Sequence, residues 1–180
     1  ADALVAARVA RVVIAARDPN PVAAGGAERL RKAGIEVDTG VEDGAARELN
    51  APFFHSFASR RPWVTLKLAV SLDAALADAT GRSRWITGSE SRRLVHEMRA
   101  GSDAIGVGIG TVLSDDPSLT VRDAPAPRVA PARVVFDLAA RLPSASVLAR
   151  TAREVPTIVI ADSRPASRVT ELGALGVLVF

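Results

Sequence analysis

The 180-residue sequence contains no cysteine and no tyrosine, and aromatic residues make up only 4% of it. Without cysteine, a disulfide framework, a thiolate zinc site and a cysteine nucleophile are excluded within these residues. The two histidines, His55 and His96, form no ligand set of known spacing, so we predict no metal site. No apolar run approaches about 18 residues and no charged-then-apolar leader opens the sequence. We therefore expect a soluble, cytoplasmic protein without a membrane span.

The charge balance is small overall but uneven along the chain. Lys and Arg number 23 against 20 Asp and Glu, a net charge of +3. Five arginines lie between 82 and 99, at positions 82, 84, 92, 93 and 99, beside Glu90 and Glu97. A local arginine cluster suits a discrete anion such as a phosphate, and a solvated charged surface is the alternative. Nucleic-acid binding has less support, because there is no recognised motif and only two Trp and five Phe.

The first third of the chain predicts a strand–helix–strand–helix unit. The strands are expected at 11–16 and 35–38, and the helices at 23–33, ended by Gly34, and at 42–54. A unit of about 55 residues is too small to cover a sheet on both faces, so it is typical of the end of an α/β domain. Residues 55–62 break the periodicity and are predicted to be a linker.

The most regular pattern in the chain follows Pro62. From 64 to 73, apolar residues alternate with other types, which predicts a strand. Lys67, Ala69 and Ser71 should then project to one side. Lys67 is a candidate functional residue, and the alternative is an edge-strand lysine that discourages aggregation.

The remaining residues predict further helices and strands. Thr87-Gly-Ser-Glu90 has the form of a capping box for a helix that ends near Ala100, with a buried stripe of Ser91, Leu94, Val95 and Met98. A lone histidine such as His96 is expected at the surface. Strands are predicted from 103 into a glycine turn at 110, followed by one or two helical turns, and at 134–137, 157–161 and 177–180, with a loop at 123–131. The glycine spacing is not the dinucleotide fingerprint.

These elements place a lysine, a glycine turn, Trp85 and arginines in one protein. Such a set of residues can bind two anionic, ring-bearing molecules, of which a redox cofactor beside a phosphorylated substrate is the natural case.

Three segments carry a family resemblance. They are Trp63–Asp73, Gly81–Gly88 and Thr111–Arg122, and in this order they resemble the reductase domain of the bifunctional riboflavin-biosynthesis deaminase/reductase family. Arg11–Gly40, with Asp18-Pro-Asn-Pro21, resembles the end of that family's zinc deaminase domain. The resemblance covers nearly the whole chain.

The resemblance implies an α/β fold with two parts. Residues 62–180 would form a dihydrofolate-reductase-like, NADPH-dependent reductase domain that lacks its C-terminal part. Residues 1–58 would be the C-terminal part of a cytidine-deaminase-like domain, without the zinc motifs that such deaminases use. Zinc would belong only to the absent deaminase segment, and self-association of the chain is expected.

The implied reaction is reduction of 5-amino-6-(5-phosphoribosylamino)uracil to the ribitylamino product, with deamination of the diaminopyrimidine precursor in the full-length protein. The resemblance assigns the cofactor to Ala69, Trp85, Thr111 and Asp115, the substrate to Ser83, Arg99, Leu119 and Arg122, and a catalytic contact to Lys67. Two departures, Ala74 where the family usually has glycine and Leu138 where many members have a small hydroxyl residue, motivate an alternative. That alternative is a catalytically impaired nucleotide-binding relative of the same scaffold.

Overall fold

A computed structural model describes residues 1–81 and 86–180. The described residues form two compact units, Ala1–Leu68 and Ala69–Phe180.

The first unit contains a pair of parallel strands and four helices. Strands β1 and β2 pair in register from Arg11 with Glu36 to Ile14 with Thr39. The elements in chain order are α1 (Asp2–Ala6), β1 (Arg11–Ile14), α2 (Gly26–Lys32), β2 (Glu36–Thr39), α3 (Asp43–Leu49) and α4 (Ala51–Ala58). The predicted strand–helix–strand order is therefore confirmed, and α1 is an addition that the sequence pattern did not predict.

Gly34 ends α2, as its position in the sequence predicted. Its φ is +80°, the left-handed conformation that closes many helices. The amide of Ile35 donates to the carbonyl of Leu30 at 3.1 Å, and the amide of Gly34 donates to that of Arg31 at 3.0 Å. This paired arrangement satisfies carbonyls at the helix end and turns the chain directly into β2.

The predicted helix at 42–54 and linker at 55–62 are wrong in detail. Two helices, α3 and α4, meet at Asn50, which flanks both of them. Pro52, at the start of α4, has no N–H to donate to α3, so the helix breaks and restarts there. The second helix then continues through Ala58, well into the segment predicted as a linker.

The second unit is built on a four-stranded parallel sheet in the order β3-β4-β5-β6. Its elements are α5 (Ser89–Ala100), β3 (Ala104–Gly108), α6 (Ile109–Asp115), β4 (Ala132–Phe136), α7 (Val147–Arg150), β5 (Thr157–Ile160), α8 (Ala166–Ala174) and β6 (Leu178–Val179). Because parallel crossovers share one hand, the connections through α6, α7 and α8 cover the same face of the sheet.

The hydrophobic core lies between that face and these helices. Val135 and Val159 of the sheet pack in one cluster with Val112, Leu148 and Leu172, one residue from each of the three helices. Alternate strand residues point the other way, and Phe136 on that side is 59% exposed. Gly106 leaves room for its ring, since a Cβ there would lie 3.0 Å from Phe136 Cε2.

The strand predicted at 64–73 is not formed. Within the described residues, no strand pairs with this segment, and the alternating residues Leu66 and Leu72 are exposed. Period-two alternation specifies which side chains share a face, but a strand also needs a hydrogen-bonded neighbour.

Helix α5 forms at the predicted place but with a different start and a different contact face. Its N-cap is Gly88, without a side-chain cap, and Thr87 instead accepts a hydrogen bond at its carbonyl from Arg92 Nη1 at 2.7 Å. Leu94 and Met98, predicted to be buried, are 55% and 42% exposed. Val95, His96 and Arg99 form the partly buried face.

Throughout residues 1–81 and 86–180, none of the helices has both the length and the apolar character that a membrane crossing requires.

Candidate functional site

Two arginines predicted to bind substrate lie close together in the second unit. Arg99, in the last turn of α5, donates from Nη1 to the carbonyl of Thr120 at 3.3 Å. The backbone N–H of Arg122 donates to His96 Nδ1, one turn earlier on α5, at 3.0 Å. Burial and the charge of Arg122 both lower the pKa of Arg99, which indicates that the Arg122 guanidinium group lies near that of Arg99.

This pair of cations has no acidic counterpart among the described residues. The ion pairs of that part of the chain include neither Arg99 nor Arg122. Neighbouring guanidinium groups repel each other unless an anion lies between them, and their planar donor sets match phosphate oxygens. The arrangement is therefore suited to an anionic group such as a phosphate.

The segment that carries Arg122 is fixed at several points. Leu119 has a φ of +51° and its side chain is only 5% exposed, within the hydrophobic core. The carbonyl of Ser118 accepts a hydrogen bond from Arg133 Nη1 at 3.4 Å, and Asp116 Oδ1 accepts one from the amide of Val147 at 2.8 Å. Because its side chain is in the core, Leu119 can contact a substrate only through its backbone.

Sequence reasoning missed His96 and Arg133 as parts of this arrangement. His96 was expected at the surface, whereas it is partly buried and accepts the Arg122 N–H. Arg133 is 1% exposed within β4. A charged residue inside an apolar strand is a signal of special packing, but its partners come from distant segments that the local pattern does not reveal.

The predicted cofactor residues Thr111 and Asp115 lie on α6, directly after β3. They are one turn apart and both are exposed, so they share one side of the helix. Ser114 Oγ donates to Asp115 Oδ1 at 3.1 Å. A Cβ added at Gly108 or Gly110 would meet no atom within 4 Å, so the chain leaves open space where β3 turns into α6. This is the carboxyl end of a parallel strand, where open α/β sheets bind ligands.

The other predicted site residues are distributed differently. Lys67 is exposed and belongs to the first unit, whereas Ala69 begins the second unit and is partly buried. Ser83 and Trp85 lie outside the described residues. The structure therefore brings together Arg99, Leu119 and Arg122 and places Thr111 and Asp115 on one helix, while Lys67 belongs to the first unit.

Comparisons with known proteins identify the family. The family model described as the RibD C-terminal domain matches residues 62–179. The chain belongs to the RibD family. "Riboflavin biosynthesis protein RibD" of Aquifex aeolicus is 45% identical over 175 residues, which are 96% of this chain and 49% of that protein.

Solved RibD structures have the same fold. Acinetobacter baumannii RibD, form 1, superposes with a TM-score of 0.80 at 39% identity, over 99% of this chain and 50% of that one. A diaminohydroxyphosphoribosylaminopyrimidine deaminase/5-amino-6-(5-phosphoribosylamino)uracil reductase from Thermotoga maritima has a TM-score of 0.79 at 33% identity, with 99% and 55% coverage. The predicted α/β fold class, with a dihydrofolate-reductase-like RibD C-terminal domain, is confirmed. The chain spans about half the length of these relatives.

Proposed function

We propose that this chain carries the reductase activity of riboflavin biosynthesis and converts 5-amino-6-(5-phosphoribosylamino)uracil to the ribitylamino product with NADPH. Membership of the RibD family over residues 62–179 supports the reaction class. The name of the Thermotoga maritima relative supports the substrate. One observation on this chain carries the proposal: Arg99 and Arg122 approach each other, and no carboxylate among the described residues pairs with either.

The two arginines would bind the phosphate at the end of the ribose chain. Bidentate hydrogen bonds from a guanidinium group fix both the position and the orientation of a phosphate. The backbone near Leu119, held in a left-handed conformation, and Ser83 would contact the rest of the substrate. Fixing the phosphate at one end would hold the ribosyl carbon at a set distance from it. Positioning of this kind is how substrate binding raises the reaction rate.

Thr111 and Asp115 would hold the cofactor, together with Ala69 and Trp85. The exposed carboxylate of Asp115 can accept hydrogen bonds from ribose hydroxyls, and the open space at Gly108 and Gly110 lets a flat molecule approach the backbone. When bound, NADPH supplies the hydride for reduction of the ribosyl carbon. The ammonium group of Lys67 would donate a hydrogen bond near that carbon.

Cofactor binding is tested by titrating the 180-residue protein with NADPH and following the heat of binding. Asp115→Ala should weaken binding about tenfold, because it removes a charge-assisted hydrogen bond. Asp103→Ala is the matched control, since Asp103 is an exposed aspartate at the opposite end of β3 and its loss changes the net charge equally. Absence of saturable NADPH binding, or equal effects of the two substitutions, would contradict the assignment.

Phosphate binding is tested by steady-state kinetics. Arg122→Gln should raise KM for the phosphorylated substrate by about tenfold or more, the value of a charged hydrogen bond, while the Kd for NADPH stays unchanged. Arg128→Gln, at an exposed arginine six positions along the chain, serves as the control. An unchanged KM in Arg122→Gln would reject the phosphate site, whereas turnover by the parent chain would exclude the impaired-relative alternative.

Three further expectations belong to the same proposal. Residues 1–58 would be the end of the deaminase domain for which the Thermotoga maritima relative is also named, with zinc held by a segment outside these 180 residues. The chain itself has no cysteine to provide such a site. The protein would act in the cytoplasm as a homo-oligomer, on a small phosphorylated pyrimidine and on no nucleic acid.

A further inference from the structure

We propose that His96 is a positioning residue for the phosphate site: its neutral imidazole accepts the backbone N–H of Arg122 and thereby fixes the arginine that binds the anion. This inference rests on the proposed function of Arg99 and Arg122. It adds to the site a residue that no sequence pattern assigned, and it makes anion affinity depend on the protonation of His96.

Helix α5 holds residues 118–123, the segment that carries Arg122, at two neighbouring points. His96 Nδ1 accepts from the amide of Arg122 at 3.0 Å, and Arg99 Nη1 donates to the carbonyl of Thr120 at 3.3 Å. His96 and Arg99 are three residues apart, so they lie on the same side of the helix. Two hydrogen bonds therefore connect the backbone of 120–122 to α5, one donated by the Arg122 N–H and one accepted by the Thr120 carbonyl.

The rest of the segment is anchored from the opposite side. Leu119 is buried in the core, and Ser118 accepts a hydrogen bond from the buried Arg133. Between Leu119 and the exposed Asp123, the described contacts that hold the backbone are those to α5. Loss of the His96 contact would leave Arg122 attached to α5 only indirectly, through Thr120.

The contact requires the neutral ring. Nδ1 can accept the N–H only while it carries no proton, so the ring is the Nε2–H tautomer here. The groups that face it are Arg99 on the same helix and Arg122, Asp123 and the Thr120 backbone on the segment. Burial lowers the pKa of His96, followed by the charges of Arg99 and Arg122, while Asp123 and the Thr120 backbone act in the opposite direction.

Two roles for His96 predict opposite responses to pH. If the ring acted only as a nearby charge, protonation would add a positive charge beside two guanidinium groups and would tighten anion binding. If the ring positions Arg122, protonation turns the acceptor into a second donor that faces an N–H, and anion binding weakens. The direction of the change therefore distinguishes the roles.

Sulfate is the probe, because its charge is constant over the pH range used. Binding is measured by NMR titration of the 180-residue protein between pH 5 and 8, following the backbone amide of Arg122. The parent protein should bind sulfate at least threefold more weakly at pH 5 than at pH 8. His96→Asn, which keeps an acceptor near Nδ1 but does not titrate, should bind like the parent at pH 8 and should not change with pH. His96→Leu should bind at least fivefold more weakly at pH 8.

The control is the same pair of substitutions at His55. This second histidine lies on α4 in the first unit, where its Nε2 contacts the carbonyl of Arg61 at 2.9 Å. His55→Asn and His55→Leu should leave sulfate affinity and the Arg122 amide shift unchanged. A general loss of folding would change the NADPH affinity of the His96 variants as well, whereas the positioning role leaves it unchanged.

The outcomes separate this inference from the proposed function. Tighter sulfate binding at low pH, or a His96→Leu variant that binds like the parent, would overturn the positioning role while Arg122→Gln still removes binding. If Arg122→Gln left sulfate affinity unchanged, the anion site itself would be wrong. If His96 governed sulfate binding but the chain failed to reduce the ribosylamino substrate, the positioning role would stand and the reductase assignment would not.

Discussion

The most informative stability experiment is the removal of the Arg133 guanidinium group. This side chain is 1% exposed and makes six hydrogen bonds within the second unit. Four of them are 3.0 Å or shorter, to Thr151 Oγ1, the Thr151 carbonyl, the Val155 carbonyl and Thr157 Oγ1. The remaining two, to Ser118 and Leu148, are 3.3 Å or longer. Arg133 therefore joins the end of α7 to the start of β5.

The expected cost of Arg133→Met follows from two opposing contributions. The four short contacts use three hydrogens, one on Nη1 and two on Nη2, so they give a gross loss of about 4.5–9 kcal/mol, at roughly 1.5–3 kcal/mol for each donated hydrogen. Removing a buried charge returns several kcal/mol of desolvation free energy, and burial does lower the pKa of Arg133. The carbonyls of Leu148 and Val155 also share a second donor, the single Thr157 hydroxyl. The net loss should be about 2–5 kcal/mol.

Urea unfolding followed by circular dichroism measures this loss, with hydrogen exchange of the β4 and β5 amides to report on the second unit alone. Arg150→Met is the matched control, because Arg150 is an exposed arginine of α7, and its effect should stay within about 0.5 kcal/mol. If Arg133→Met changed the free energy of unfolding by less than 1 kcal/mol, roughly the value of one neutral hydrogen bond, the reasoning would be refuted.

Other substitutions test the backbone and the titration behaviour. Gly176→Ala should destabilise the protein by about 1–3 kcal/mol, because φ is +94° there and the new Cβ would lie 2.8 Å from Arg153 Cγ. Gly173→Ala in α8 should instead stabilise it by roughly 0.5–1 kcal/mol, because the new Cβ meets no atom within 4 Å. Thermal unfolding compares the two variants. Ala74 has a φ of +62°, so Ala74→Gly should raise the melting temperature, whereas the same change at an alanine with negative φ should lower it. Burial lowers the pKa of His96, so the unfolded chain binds more protons than the folded chain in this pH range. The free energy of unfolding should therefore fall as the pH is lowered from about 6.5 through the folded pKa, and an increase on lowering the pH would contradict the shift.

Much of the fold could be predicted because its signals are local. The glycine at 34 needs only its neighbours to close α2, and Gly176 ends α8 with the same pair of hydrogen bonds, from Val177 to Leu172 and from Gly176 to Gly173. The buried strands β4 and β5 are short apolar runs bounded by Pro and Asp, which the sequence displays directly.

The predictions that were wrong concern which side chains are buried, because burial depends on a second surface that packs against them. The alternation from 64 to 73 and the apolar residues Leu94 and Met98 specify faces that would be buried against something, and the described residues provide no surface for them. Within the candidate site, the motifs predicted Arg99 and Arg122, but not the residues that hydrogen-bond to them. The hydrogen bond from Arg122 to His96 joins residues 26 positions apart, and a one-dimensional pattern contains no information on such a pair.

Arg133 and Arg99 differ in what surrounds their guanidinium groups, and this difference separates a structural role from the proposed binding role. Arg133 is buried, and oxygen atoms of four carbonyls and two hydroxyls accept from its Nη1 and Nη2 groups, so most of its donor capacity is already used within the protein. Among the residues that the structure describes, Arg99 has one long hydrogen bond, to a carbonyl, and the positive charge of Arg122 lowers its pKa. An anion between the two guanidinium groups would offset this repulsion, so the proposed phosphate would bind with a more favourable free energy than at an isolated arginine. We therefore expect the position of each arginine relative to carbonyl oxygens, and not the number of arginines, to determine where the proposed phosphate would bind.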